Sequence, residues 1–334
     1  MQRRRLLATA PLLALAAPWI VSGTARAQSA PEGLASRPSP GNPLRLIVPA
    51  PPGGPTDILA RVLADRAAAP LGRPIIVENR SGAGGIIGTE AAARSAPDGN
   101  TVVLGHNQTH AGNQSLMKQL PYHVVNSFTP VAKLATVHHA LVVPANGAAD
   151  LAALVARGKA GKLSYASSQA GSASHIIAET LVRREKLDAT HVPYRGAAPA
   201  ATDTMSGIVD FYVATFPSVA PLVREGRLRA LEIGAPNRVN GFPDVPTAAE
   251  AGFPYLAVDA WFGLFAPAGT PGPAVEAIAK AALAMLSDPG AEEQLLSAGF
   301  TADPLLPEPF AAFQREEVAR WAEMVRLTGV TMEG

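Results

Sequence analysis

Two glycine-rich turns carry the residues best suited to chemistry, and the chemistry they offer is anion binding by the main chain. The first turn contains Gly53, Gly54, Thr56 and Asp57, between a strand-length apolar run and apolar residues at helical spacing. The second, also between an apolar run and a helical stretch, consists of Gly82, Ala83, Gly84 and Gly85. The first N–H groups of a helix have no partner inside the helix, and the helix end is electropositive. Either turn can therefore receive an anion, although an ordinary strand-to-helix turn fits these stretches equally well.

The first turn contains residues that could cap the helix after it. The second turn does not match the dinucleotide-binding motif. We expect Thr56 or Asp57 to cap the helix that follows the first turn. A G-x-G-x-x-G motif beginning at Gly82 would need glycine where Ile87 stands. The second turn is thus predicted to present N–H groups to a small polar ligand.

A third cluster combines hydroxyl groups with a histidine. It follows the apolar run 163–167 and comprises Ser167, Ser168, Gly171, Ser172, Ser174 and His175. Ser172 is expected to cap the next helix. Nucleophilic chemistry would use His175 with Ser172 or Asp210, as in an exported α/β hydrolase or isomerase. The sequence has no G-x-S-x-G elbow, which leaves these serines without a motif that marks a nucleophile.

Further polar residues stand where strands end. Asn107 and Thr109 follow the run 101–105, and ligands of open α/β sheets bind at such carboxyl ends. His106 and His110 are four residues apart, the spacing of a metal pair on a helix, but no H-E-x-x-H pattern or carboxylate cluster accompanies them. Arg195 is a cation at a strand-to-helix junction that could approach a carboxylate; a solvated loop arginine is the alternative.

The elements that position these residues alternate between strand and helix. Strand-length apolar runs occur at 44–48, 74–78, 101–105, 134–143, 163–167, 190–193, 209–215, 228–233 and 261–266. Helical spacing separates many of them, which favours parallel sheets covered by helices on both faces. Past residue 273 the pattern becomes helical, and these helices need a sheet to cover. The chain is therefore expected to form two lobes and to cross between them twice, near 140–144 and 258–262.

Composition excludes several classes of protein. Charged residues make up 16% and aromatic residues 5% of the 334 residues, so a basic nucleic-acid surface with stacking rings is not expected. The chain contains no cysteine, which excludes a thiol nucleophile, a disulfide framework and a thiolate metal site. No metal or other cofactor is expected.

The N-terminus has the pattern of an export signal. Three arginines precede an apolar stretch, and Ala-Arg-Ala ends at residue 27. We interpret residues 1–27 as a cleaved signal peptide, with either the Tat or the Sec route open, and residues 28–42 as a flexible leader. The product is predicted to be exported.

The order of motifs resembles one family, the solute-binding receptors of tripartite tricarboxylate transporters, often called Bug-type receptors. The resemblance covers about residues 44–330 and rests on PAPPGGPTDILAR, ENRSGAGGIIGTEAAARSAPDGNT, THAGN, LPYHVVNSFTPV, GKLSYASSQAGSASH, HVPYRGAAPAATD, GRLRAL, PDVPTAAEAGFP and WFGLFAPAGTP. Two departures are His123 and Val124 in a block that usually reads LPYDP, and Arg195 where the family usually has lysine.

The resemblance implies an α/β, two-lobed periplasmic binding protein of the Venus flytrap, type II-like class, each lobe a mainly parallel sheet flanked by helices. Lobe 1 would comprise residues 43–142 plus 261–334, and lobe 2 residues 143–260. Such a receptor closes on a small carboxylate held by main-chain N–H groups and hydroxyls; it is a monomer with no catalytic residue and a possible membrane permease as partner. Residues carried over to the site are those of the three clusters above, with Asn107, Thr109 and Arg195, and Asp210 is added as a further ligand-binding candidate. A ligand sensor with the same fold is the alternative within this class.

Overall fold

The structure, a computed structural model, describes residues 42–332. The predicted signal peptide and all but the last residue of the predicted leader lie outside the described residues. Eleven strands are present in this range: β1 Leu44–Val48, β2 Ile75–Asn79, β3 Thr101–His106, β4 Phe128–Val137, β5 His139–Pro144, β6 Leu163–Ser167, β7 Ala189–Pro193, β8 Phe211–Thr215, β9 Leu228–Ile233, β10 Ala260–Pro267 and β11 Thr301–Leu305.

Ten α-helices accompany the strands in the described range. They are α1 Pro55–Leu71, α2 Ile86–Ala93, α3 Asn113–Leu116, α4 Leu151–Ala160, α5 Ala173–Glu185, α6 Ala197–Met205, α7 Phe216–Arg224, α8 Gly272–Leu286, α9 Pro289–Ser297 and α10 Pro307–Thr328. A π-helical segment, Gln108–Gly112, follows β3 directly and continues into α3.

The strands form two sheets of the same design. The first has the order β11-β4-β10-β3-β1-β2 and the second β7-β6-β8-β5-β9. Each sheet contains three neighbouring parallel strands, β2-β1-β3 in the first and β7-β6-β8 in the second. Next to these three lies an antiparallel strand, β10 in the first sheet and β5 in the second. It is the first strand that the chain forms after passing from the other sheet. We call each sheet with its helices a lobe. Both sheets are mixed, because each of these entering strands runs against its neighbours, while four strands of each sheet run in one direction.

The chain passes between the lobes twice. The apolar run at 134–143, which His138 and His139 interrupt, was expected to cross between the lobes, and it is two strands in different sheets, separated by His138. Judged by which sheet each strand belongs to, the first passage is at His138, whereas the expected lobe boundary was residue 142. The return passage lies between Ile233 and Ala260. The passages are tied together: His138 Nδ1 lies 2.7 Å from Asp259 Oδ1, and His139 Nδ1 lies 2.8 Å from the Val258 carbonyl oxygen.

Hydrophobic burial explains why the elements assemble in this way. Strand β1 lies between β2 and β3, and four of its five side chains are at most 1% exposed, as expected for a strand covered on both faces. Helices α1, α8 and α9 cover one face of the first sheet. On the other side, one continuous core joins the two lobes, and α10 contacts α5 across it. No helix in the described range is both long and apolar enough to cross a bilayer.

Candidate functional site

A cavity of about 170 Å³ lies where the lobes meet, and we call it the interlobe cavity. The first lobe contributes residues after β1, at and after the end of β3, and at the start of β10. The second lobe contributes the start of β5, residues of β8, the loop after β6, and the starts of α5 and α6. The lining consists of Pro55, Thr56, His106, Asn107, Gln108, His139, Ser168, Ser172, Ala173, Ser174, Ala197, Tyr212, Thr215, Ala260 and Phe262. Five of the predicted site residues are among them: Thr56, Asn107, Ser168, Ser172 and Ser174.

Helix α1 aims its first turn into the interlobe cavity. Its N-cap is Gly54, and neither Thr56 nor Asp57 caps the helix as predicted, because Pro55 occupies the first helical position that proline favours. Within the described chain, the N–H groups of Thr56 and Asp57 have no protein acceptor. The Thr56 hydroxyl side chain is buried in the lining beside them. This turn can accept an anion.

Asp57 holds the first turn and is not free for a ligand. Its carboxylate accepts hydrogen bonds from the Gly53 N–H at 2.9 Å, from Asn79 Nδ2 at 2.9 Å and from the Arg61 guanidinium at 2.8 Å. The hydrogen-bonded Arg61 lowers the pKa of Asp57 to about 2, so the carboxylate stays charged. The Gly53 N–H, predicted to meet the ligand, is used within the turn.

Helix α5 faces α1 from the second lobe. Ser172 is its N-cap, as predicted, and accepts from the His175 N–H at 3.4 Å. The Ser168 N–H donates to Ser174 Oγ at 3.3 Å, and Ser174 Oγ in turn donates to the Val213 carbonyl. The N–H groups of Ala173 and Ser174 have no protein acceptor in the part of the chain that the structure describes.

The lining carries no Asp, Glu, Lys or Arg, and its histidines are neutral near pH 7. Burial lowers the pKa of His106 to about 4 and also lowers the pKa of His139. Burial raises the pKa of Tyr212, whose phenol therefore stays protonated. Positive potential in the cavity thus comes from the N-termini of helices and not from cationic side chains.

Asn107 connects the cavity to the passage between the lobes. Its Nδ2 donates to the Asp259 carbonyl at 3.0 Å, and its Oδ1 accepts from the Gln108 N–H at 3.0 Å. Thr109 is fully buried just behind, where Oγ1 accepts from the His106 N–H at 3.1 Å. Thr109 therefore shapes the end of β3 and does not line the cavity.

The predicted nucleophilic group is not assembled as a relay. Ser172 Oγ donates to the Gln169 carbonyl at 2.6 Å, and His175 Nδ1 accepts from the Gly171 N–H at 3.1 Å. The His175 ring stacks on His191 with 3.7 Å between ring centroids, and burial followed by the neighbouring His191 lowers the pKa of His175 to about 3. These contacts make His175 a support for the loop before α5.

The remaining predicted site residues lie outside the cavity lining. Asp210 accepts from the Ser164 N–H at 2.8 Å and pairs with Arg157 at 3.0 Å. Arg195 is solvent-exposed in the loop before α6. Ser167 is buried and its Oγ lies 2.7 Å from His191 Nε2. The second glycine turn, residues 82–85, and Gly171 also lie outside the lining.

Several lining residues had no sequence signal. Tyr212, Ala260 and Phe262 come from strands that read as ordinary buried β-sheet, and only the topology brings their ends to the cavity. For three other lining residues the only sequence signal was a polar side chain close to the end or start of a strand. These are His106, Gln108 and His139. Within residues 42–332 no group of three or more His, Asp or Glu could hold a metal ion.

Comparison with known proteins shows the family and the fold. A family model described as "Tripartite tricarboxylate transporter family receptor" matches residues 59–330. BugT from Bordetella pertussis is 37% identical over 298 residues, covering 88% of this chain and 91% of that protein. The structure of MatC from Rhodopseudomonas palustris with bound malate has a TM-score of 0.72 at 36% identity, covering 84% of this chain and 98% of that one. The R. palustris protein Rpa4515 with adipate has a TM-score of 0.77 at 30% identity, covering 86% of this chain and 97% of that one. The chain described here belongs to the tripartite tricarboxylate transporter receptor family.

Proposed function

We propose that this protein captures a small organic carboxylate in the interlobe cavity and delivers it to membrane transporter subunits. The observation that carries the proposal is the interlobe cavity itself, whose lining has no charged side chain. Helices α1 and α5, from opposite lobes, direct into it N–H groups that have no acceptor in the described chain. An anion there gains hydrogen bonds and the favourable field of both helix N-termini. Malate and adipate bound to two structural relatives support a carboxylate as the ligand class.

Closure of the lobes is the proposed response to the ligand. The Thr56 and Asp57 N–H groups belong to one lobe and the Ala173 and Ser174 N–H groups to the other, so a ligand touches both sets only when the lobes are together. Such a ligand binds the closed form more tightly and shifts the population toward it. The two passages, near His138 and between Ile233 and Ala260, are the proposed hinge.

The proposal extends to location and partners. We interpret residues 1–27 as the signal peptide that sends the chain to the periplasm by the Tat or Sec route. The receptor would act there as a monomer, with residues 43–137 plus 260–332 of the described chain as the first lobe. The closed form would be the surface that a membrane permease recognises, and no chemical conversion of the ligand is part of the proposal.

The test is a thermal-shift screen of a carboxylate library, followed by calorimetry and small-angle scattering on each hit. A ligand present at about 1,000 times its Kd stabilises the folded protein by about 4 kcal/mol, which a melting curve detects readily. We expect at least one dicarboxylate or tricarboxylate to bind and to reduce the radius of gyration. The neutral diamide of the same hit is the matched control and should not bind. Equal binding of acid and diamide, or no stabilisation by any carboxylate, would contradict the proposal.

A further inference from the structure

The ring of His139 lies between the return passage and the interlobe cavity. His139 is the first residue of β5, is only 3% exposed, and lines the cavity. Its Nδ1 lies 2.8 Å from the Val258 carbonyl oxygen. A carbonyl oxygen only accepts hydrogen bonds, so Nδ1 carries the hydrogen. The neutral ring therefore has a lone pair on its other nitrogen, Nε2.

Nε2 is the ring nitrogen that is available to a bound molecule. It has no hydrogen-bond partner within the described chain. It is also not sealed in the core, in contrast to Nε2 of His110, which is fully buried without a partner. Because Nδ1 is held by the passage and the residue lines the cavity, a proton added to Nε2 would be presented to a ligand.

The charge available in the lining does not balance a ligand with two ionised carboxylates. No Lys or Arg is among the lining residues. The N-termini of α1 and α5 each act as about half a positive charge, so together they offset about one negative charge. About one negative charge of a dianion would remain uncompensated, and an unpaired charge away from water is costly. One proton on a neutral lining group removes this deficit.

Two histidines line the cavity, and their surroundings favour His139 as the group that takes the proton. Burial lowers the pKa of both rings, that of His106 to about 4. At His106 only one side-chain hydrogen bond opposes the effect of burial. At His139 both the Val258 carbonyl and the Asp259 carboxylate favour the charged ring, whereas the neighbouring His138 disfavours it.

The ligand is the group that changes the charge next to His139. The titratable groups on the elements around this ring are His138 and Asp259 on the two passages, His106 on β3, Tyr212 on β8 and Glu232 on β9. His138 and Asp259 are paired with each other at 2.7 Å. Burial keeps the Tyr212 phenol and the Glu232 carboxyl group protonated at pH 7. A carboxylate that enters the cavity adds an opposite charge close to the ring, which favours the imidazolium.

We infer that this receptor binds a dicarboxylate together with one proton, which comes from the solvent and is held between His139 Nε2 and the ligand. The proton adds to the Nε2 lone pair, no covalent bond is broken in the protein or the ligand, and Nδ1 keeps its hydrogen bond to Val258. The inference rests on the proposed function and adds proton coupling to it.

The experiment is calorimetry of the full mature chain with malate and with adipate at pH 7, in HEPES, imidazole and Tris. These buffers differ in their heat of ionisation, so the dependence of the measured heat on the buffer counts the protons taken up with each acid. We expect at least half a proton in the wild type and none in His139→Gln. His138→Gln is the matched control and should keep the wild-type number, since that ring lies outside the lining.

Two further measurements use the same probes. The affinity of the wild type should fall at least threefold from pH 7 to pH 8, because binding then lacks part of its proton, whereas that of His139→Gln should change less than twofold. Nitrogen NMR of wild-type protein labelled in histidine should show one ring change from neutral to imidazolium when the acid is added. This measurement decides the matter without a variant if melting curves show that His139→Gln does not fold.

The outcomes separate the inference from the proposed function. Wild-type heats that do not depend on the buffer would overturn the inference. Proton uptake that persists in His139→Gln, or disappears in His138→Gln, would also overturn it, as would histidine signals that stay neutral in the complex. Failure of both acids to bind the wild type overturns the inference too. The proposed function fails only if no carboxylate of the wider library stabilises the protein.

Discussion

The sharpest electrostatic test of the interlobe cavity is a carboxylate placed inside it. Ala173 lines the cavity at the first position of α5, so Ala173→Asp puts a negative charge beside the N–H groups that we propose to hold the ligand. Aspartate is favourable near a helix N-terminus, so the substitution should not destabilise the fold. Ala173→Asn adds nearly the same volume without the charge and is the matched control.

The magnitude follows from the size of the cavity. A sphere of 170 Å³ is about 7 Å across, so a bound carboxylate would lie roughly 4–7 Å from the new charge. With an effective dielectric constant of about 20, the repulsion is about 2–4 kcal/mol. The affinity of a carboxylate ligand should therefore fall by about 30-fold to 1,000-fold more in Ala173→Asp than in Ala173→Asn.

Calorimetry on both variants with the same ligand measures this difference, and melting curves without ligand confirm the fold. Dissociation constants that agree within about twofold between the two variants would refute the reasoning, because charge would then not be what the cavity recognises.

Three further predictions concern stability. Burial raises the pKa of Glu232 to about 8. The folded state therefore keeps a proton that the unfolded state loses above about pH 4.5, so the free energy of unfolding falls as the pH rises from about 4.5 to about 8. Glu232→Gln should remove this loss and stabilise the protein by about 3 kcal/mol at pH 7 but little at pH 4, in urea unfolding; equal effects at both pH values would contradict the assignment. Asp57 has a lowered pKa, so its contribution is present above about pH 4 and is lost toward pH 2. Asp57→Asn should lower the free energy of unfolding by about 1–2 kcal/mol at pH 7 and by less in acid. A decrease that does not depend on pH would count against the ion pair of Asp57 with Arg61. Gly53 and Gly85 both have φ of 84°, but a Cβ on Gly85 would lie 2.6 Å from Thr109 Cγ2 whereas one on Gly53 meets nothing. Gly85→Ala should therefore destabilise the fold by about 1–3 kcal/mol more than Gly53→Ala, and equal losses would show that packing at Gly85 is unimportant.

Local sequence pattern predicted the strands and helices where one signal dominated. The run at Leu44–Val48 and the capping serine before α5 were found because burial on both faces and a side-chain cap are local properties. Strand β11, Thr301–Leu305, contains Asp303 and Pro304 and has no alternation, so only its pairing with β4 makes it a strand.

The division of one apolar run between two sheets was beyond local pattern. The interruption of the apolar run by His138 and His139 suggested a crossing, but Val137 and His139 are both buried β residues, and local pattern does not assign them to different sheets. The passage is defined instead by distant partners, since His138 lies against Asp259 and β5 pairs with β8 and β9.

The candidate site was predictable as loops but not as a set of contacts. The turn before α1 and the serine loop before α5 do border the interlobe cavity. Asp57 and His175 were expected to face a ligand, yet each is used to hold its own loop, because a buried polar group takes the nearest partner available.

The most direct test of the central claim is a crystal structure with the tightest-binding carboxylate from the screen. We predict that carboxylate oxygens lie within hydrogen-bond distance of the Thr56 or Asp57 N–H and of the Ala173 or Ser174 N–H, with both lobes in contact with one ligand. A ligand held by Arg195, or bound to one lobe only, would contradict the account.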